Sequence, residues 1–171
     1  MTISGGCVCA YSTGNDGLDA NGNLYIKGGT VYAIGSSSPE VAVDANSEGG
    51  FKLYLSGGTL VALGGLESGS TLSQACYSCS SWSGNTWYAL YNGDEPLFTF
   101  KTPSSGGSGL IVSTSGTPSL KHGVSVTDGS YIFGGMGSID ATVTGGSSMA
   151  LSSYTGGNGG MGGNGGGKGR Q

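Results

Sequence analysis

Three aspartates stand where they could act together. Asp16, Asp19 and Asp44 each lie in a turn that precedes an alternating apolar strand, and Asp19 aligns with Asp44 through Leu18-Asp-Ala-Asn21 and Val43-Asp-Ala-Asn46. If the strands that follow stack in register, those two carboxylates come about 5 Å apart. Bases nearby are few, so the carboxylates repel, and a hard cation with six to eight oxygen ligands would relieve the repulsion. Asn15, Asn21, Asn46 and Glu40 are the supporting oxygen donors. The same Asp and Asn residues also suit Asx-turns or a solvated ladder. The residues alone leave both readings open.

Aromatic side chains suggest a second chemistry. A sugar ring has an apolar face and a hydroxyl rim, so polysaccharide sites set flat aromatic faces beside polar groups. Tyr25, Tyr32 and Tyr54 fall at outward positions of the alternating strands, and Trp82 and Trp87 follow in a later aromatic cluster with Tyr88 and Tyr91. Tyr25 and Tyr54 also read as an ordinary exposed cross-strand pair, and the later cluster also reads as a cap over a core.

Other chemistry finds little support. Cys7 and Cys9 are too far apart along one strand face for an easy mutual disulfide. Cys76 and Cys79 have the spacing of a redox or zinc half-site without its usual context. Disulfides between segments, or reduced thiols, are the simpler expectations. His122 is the single histidine, which excludes a two-histidine metal site. A Ser–His–Asp triad has no Gly-x-Ser-x-Gly elbow to support it. A calcium-assisted lyase would need a base, and Lys27 and Lys52 are the ones near the repeat. Gly134-Gly-Met-Gly137 lacks the strand-then-helix setting of a phosphate loop.

What would position these groups is a repeated strand. Thr2-Ile-Ser-Gly-Gly-Cys-Val-Cys-Ala10, Leu24-Tyr-Ile-Lys-Gly-Gly-Thr-Val-Tyr-Ala33 and Leu53-Tyr-Leu-Ser-Gly-Gly-Thr-Leu-Val-Ala62 share one grammar of alternation broken by a Gly-Gly pair. The pairs are spaced 23 and 29 residues apart, and the extra residues fall in turns. Alternation sends Ile3, Ile26 and Leu55 inward, then Val8, Val31 and Leu60, then Ala10, Ala33 and Ala62. It sends Cys9, Tyr32 and Val61 outward. Stacked units of this length read as coils of a parallel β-helix.

Composition agrees with an all-β chain. Glycine is 38 of 171 residues, about three times the usual share, which disfavours long helices. A net charge of −4 with six basic residues gives no electrostatic footprint for nucleic acid. No apolar run is long enough to insert into a membrane. The reading divides the chain into coils at 1–65, expected to continue upstream of Met1, a capping β region at 66–155, and a Gly-rich low-complexity tail at 156–171. Within the cap, 66–81 reads as a polar crossing segment and Asn92-Gly93 as a hairpin turn.

The stretch Asn15-Asp-Gly-Leu-Asp-Ala-Asn-Gly-Asn-Leu-Tyr-Ile-Lys-Gly-Gly-Thr-Val-Tyr-Ala33 resembles the repeat of a bacterial family of carbohydrate-binding right-handed parallel β-helix proteins, found in clostridia and Bacteroidetes. Ser38-Pro-Glu40, Val43-Asp-Ala-Asn46, Gly64-Gly-Leu-Glu-Ser-Gly69 and Pro118-Ser-Leu-Lys-His-Gly123 continue the likeness, while Cys7 and Cys9 depart from it. The resemblance implies calcium binding and non-catalytic binding of plant-type or acidic polysaccharide at the cell surface. Two other expectations stay beside it. One is a structural surface or filament module that self-associates through solenoid ends. The other is a polysaccharide lyase using the same groove.

Overall fold

The computed structural model describes residues 1–36 and 38–156, so the Gly-rich tail beyond Gly156 lies outside the described residues. Among the described residues, thirteen strands carry the fold. They are β1 (Thr2–Tyr11), β2 (Leu24–Ile34), β3 (Leu53–Leu63), β4 (Thr71–Leu72), β5 (Cys76–Trp82), β6 (Trp87–Asn92), β7 (Glu95–Lys101), β8 (Gly107–Ser113), β9 (Pro118–Thr127), β10 (Ser130–Ile132), β11 (Gly137–Ile139), β12 (Thr142–Ser148) and β13 (Ser152–Tyr154). Two single-turn 3₁₀ segments, Ser47–Gly49 and Phe133–Gly135, interrupt the connections.

The three repeated strands pair parallel and in register. Ile3 pairs with Ile26 and Ile26 with Leu55; Val8, Val31 and Leu60 form the next column, and Ala10, Ala33 and Ala62 the third. Each ladder breaks at its Gly-Gly pair, where Gly6, Gly29 and Gly58 take φ of 76°, 84° and 86°. That left-handed backbone costs glycine little and L side chains a good deal.

The architecture is nevertheless not a parallel β-helix. Parallel pairing between strands stops with β4 on β3, and the remaining strand pairs are antiparallel. β3 turns the sheet over to β8, giving a mixed sheet in the order β1-β2-β3-β8-β5-β13 with β4 beside β3. A second, fully antiparallel sheet runs β10-β11-β7-β6-β9-β12. Among the described residues, the connections of the three repeats form no ladder beyond the isolated bridges Leu18–Val43 and Val43–Leu66 and scattered backbone hydrogen bonds. They do not build the further continuous faces a solenoid would need. The 66–81 segment is also more regular than expected, since β5 sits inside the mixed sheet between β8 and β13. β6 and β7 do form a hairpin, but Asn92 pairs with Glu95, so Gly93 and Asp94 make the turn.

Two apolar clusters follow from the alternation. One face of β1–β3 packs Ile26, Leu55, Val31 and Leu60 against the bridge residues Leu18, Val43 and Leu66. The other face meets the second sheet: Tyr32, Ile34, Val61 and Leu63 pack with Tyr88, Leu90, Phe98 and Phe100. Tyr32 is therefore not an outward residue. It is fully buried, its ring lies 5.3 Å from Phe100, and its hydroxyl donates to the Lys101 carbonyl at 2.9 Å. Burial drives its phenol far above the ordinary tyrosine range, with Cys9, Tyr11 and Tyr88 adding to the rise.

Tyr32 joins the two sheets by packing and by one hydrogen bond, and the two parts separate by mutation. Tyr32→Phe is expected to cost about 1 kcal/mol of unfolding free energy, and Tyr32→Ala about 3–5 kcal/mol. Urea denaturation measures both; equal losses would contradict this division.

Candidate functional site

The short bridges between repeats place the acids. Asp44 N–H donates to the Leu18 carbonyl at 2.8 Å and Glu67 N–H to the Val43 carbonyl at 2.9 Å. Asp19, Asp44 and Glu67 therefore follow the bridge residues on successive rungs, about 4.8 Å per rung. Asp16 arrives from the turn before them, with its Oδ1 accepting from Val41 N–H at 2.6 Å. Gly17 beside it admits no side chain, because a Cβ there would lie 2.6 Å from the Ala42 carbonyl oxygen.

The result is a cleft of about 270 Å³ lined by Asp16, Glu40, Asp44, Glu48 and Glu67 together with Pro39 and Val41. It has five carboxylates and no lining base. Partial burial and hydrogen bonding with the Asp44 carboxylate push Glu67 above the usual glutamate range, against the lowering effect of Ser47 and Ser68. Glu40 moves the same way, by desolvation first and then by Asp16 beside it, with smaller effects from Asp44 and Asp19.

The expected metal donors divide. Asp16, Glu40 and Asp44 line the cleft, whereas Asp19, Asn15 and Asn21 are exposed and do not line it. Asn46 is occupied as a cap, its Oδ1 accepting from Gly49 N–H at 2.9 Å, and Asp44 Oδ2 accepts from Asn46 N–H at 3.0 Å. These are Asx-type turn bonds. Among the described residues, no three His, Cys, Asp or Glu side chains converge as a group able to hold a metal ion. The carboxylates suit a hydrated cation held by charge better than a dehydrated ion with six to eight direct ligands. Glu48 and Glu67 escaped the sequence reading. Leu66-Glu67 repeats the apolar–acid step of Leu18-Asp19 and Val43-Asp44, and that signal could have found Glu67.

A larger groove of about 1040 Å³ opens beside the cleft, and Pro39, Glu40 and Val41 line both. Three aromatic residues border it: Tyr11 at the end of β1, Trp82 at the end of β5 and Tyr154 in β13. Between them lie serine hydroxyls, including Ser12, Ser78 and Ser108, and the glycine backbone of 106–109. Trp82 pairs with Gly107, and a Cβ on Gly107 would lie 2.6 Å from the indole Cζ2. The missing side chain lets the indole lie against the neighbouring strand.

Of the five aromatics expected to meet a glycan, Trp82 alone lines this groove. Tyr25 and Tyr54 stack on each other at 4.9 Å and 12°, with Lys27 Nζ 5.3 Å from the Tyr25 centroid. Trp87 packs edge-on against Tyr131 at 6.2 Å, and Tyr32 is in the core. Tyr11 and Tyr154 were not among the expected aromatics; Tyr11 ends a column whose other members are Ile34 and Leu63, and Tyr154 stands alone in a short strand.

All four cysteines are free, so no disulfide joins the segments. Burial raises the thiols of Cys9 and Cys76 above their ordinary value. His122 lies in β9 against the Tyr88 ring at 6.0 Å. No protein-family model, curated protein or solved structure matches the chain.

Glu67 supplies a pH test. Its folded pKa is raised, so the folded state binds more protons than the unfolded state above the ordinary glutamate range of about 4.3, and stability falls as pH rises through the raised value. Compared with Glu67→Gln, the wild type should lose melting temperature as pH is raised from about 4 to about 7. Parallel pH profiles for the two proteins would contradict the raised carboxyl.

Proposed function

We propose that the chain is a non-catalytic polysaccharide-binding module acting outside the cell or at its surface. The observation that carries this reading is the groove of about 1040 Å³ lined by Tyr11, Trp82 and Tyr154 together with serine and glycine residues. Aromatic faces take the apolar side of a sugar ring, and hydroxyls and backbone groups take its rim. An open groove accepts a polymer along its length, with affinity built from many modest contacts.

Charge sets the preferred substrate. The chain carries a net charge of −4, and Glu40 stands on the groove wall with the acidic cleft behind it. Uronate polymers meet like charge there, so neutral plant-type polysaccharides bind in preference to acidic ones at low salt. Glu40, the carboxyl on the groove wall, hydrogen-bonds with the Asp16 carboxyl. Glycoside hydrolysis needs its two carboxyls about 5 Å apart or more, with the bond to be cleaved between them. That favours binding over cleavage.

Calcium enters this reading as a counter-ion. A divalent cation in the cleft would offset the mutual repulsion of Asp16, Glu40, Asp44, Glu48 and Glu67 and so stabilise the turns that carry them. Millimolar calcium at neutral pH should then raise the melting temperature over that in chelator, and Asp44→Asn with Glu67→Gln should remove the difference. An identical melting temperature with calcium and with chelator would remove calcium from the account.

The groove itself is tested with Trp82→Ala. Titration calorimetry against neutral oligosaccharides should show at least a tenfold loss of affinity, equivalent to about 1.4 kcal/mol, with no new reducing ends formed by the wild type. Unchanged affinity, or release of shortened products, would overturn the proposal.

A further inference from the structure

The parallel stack is closed on one side and open on the other. β3 is covered by β4 at Tyr54 and Leu55 and by β8 from Leu60 to Leu63, whereas among the described residues β1 pairs with β2 alone. Burial falls along each column toward the open side. Leu63 and Ile34 are 0% and 2% exposed, while Tyr11 in the same column is 49% exposed. Val31, Leu60, Ala33 and Ala62 are fully buried, and Val8 and Ala10 only half-buried. The edge also lacks the usual protection: β1 contains no charged residue and no proline.

In the pairs Gly28-Gly29 and Gly57-Gly58 the two glycines are required for different reasons. The second glycine of each pair is explained by its positive φ. The first of each pair, at Gly5, Gly28 and Gly57, lies outside the left-handed region, so its backbone admits any residue. At Gly28 the explanation is contact, because a Cβ there would lie 2.7 Å from the Ser4 carbonyl oxygen; at Gly57 it would collide with the Lys27 carbonyl. Each is a socket for the backbone carbonyl of the strand on its β1 side. Gly5 stands at the same place in the repeat with nothing within 4 Å of its Cβ position. Neither conformation nor packing among the described residues requires glycine there, whereas a carbonyl from one more strand would.

We propose that the free edge of β1 is a docking edge for an extended polypeptide strand that runs parallel to β1 and carries the repeat's own pattern. This inference is independent of the glycan reading. Main-chain hydrogen bonds along the edge supply affinity, and the half-covered columns at Val8 and Ala10 supply specificity for apolar residues at alternate positions. The parallel direction follows from the sockets: Gly28 and Gly57 receive their carbonyls from parallel neighbours in fixed register. An antiparallel partner, such as β1 of a second copy about a twofold axis, presents a different hydrogen-bond spacing and does not reproduce that placement.

The test uses the full chain and a labelled, lysine-tagged peptide copying Leu24–Ile34, with the retro-sequence peptide as control. Fluorescence anisotropy should show saturable binding of the first peptide and at least tenfold weaker binding of the second. Amide exchange between Ile3 and Ala10 should slow when the peptide is bound. Gly5→Ala should keep the wild-type melting temperature, because its Cβ meets nothing, yet weaken peptide binding at least tenfold, because the new methyl fills the socket. The proposal is overturned by equal binding to wild type and Gly5→Ala, or by equal binding of the two peptides. It is also overturned by a lowered melting temperature of Gly5→Ala, or by a peptide-free dimer in sedimentation that Gly5→Ala leaves intact.

Discussion

Close backbone approach at the glycine pairs is the constraint on which the rest depends. Gly28 and Gly29 rest against the Ser4–Gly6 backbone, and Gly57 and Gly58 rest against Lys27–Gly29, at distances that leave no room for a Cβ. This fixes the register of β1, β2 and β3. A slip of one residue would turn every apolar column to the opposite face. With the register held, Ile26, Leu55, Val31 and Leu60 fill one core. The alternate residues Tyr32, Ile34, Val61 and Leu63 are free to bind the second sheet. The connecting segments inherit the same register, which is why the acids after Leu18, Val43 and Leu66 fall on successive rungs.

Much of this was legible in the residues, and the parts that were not fail for physical reasons. The repeat, its columns and the pairing of Tyr25 with Tyr54 follow from alternation and the glycine pairs, and the ladder has that register. The parallel β-helix does not follow. A strand recurring three times specifies one parallel stack, and its length says nothing about whether the chain continues to coil or turns back, as it does at β8. Alternation also separates two faces without saying which is wet. The continuous apolar runs Val31–Ile34 and Leu60–Leu63 did carry that information, since a strand buried on both faces loses its alternation. Read so, Tyr32 belongs to the core from the start.

The candidate site was half legible. The aspartates could be found because they sit at equivalent places in a repeat, and Glu67 extends that rule by one rung. The groove could not be found the same way. Its walls come from β1, β5, β8, β13 and the turn at 38–41, segments without shared periodicity, and its aromatics are single residues at strand ends. The stretch 66–81 looked like a polar crossing because its β5 residues Ser78, Cys79 and Ser80 line the groove, while Cys76 on the same strand is buried. The groove rests on where strands from distant parts of the chain meet.

The central claim is that a neutral polysaccharide lies along the groove between Tyr11, Trp82 and Tyr154. The most direct measurement is a residue-resolved NMR titration of the full chain with a neutral oligosaccharide. The account predicts saturable shifts at the Trp82 indole N–H and at the amides of Ser78, Gly107, Ser108 and Tyr154, with the Tyr25–Tyr54 stack unmoved. Shifts confined to that stack or to Trp87, or no saturable shift at all, would contradict it.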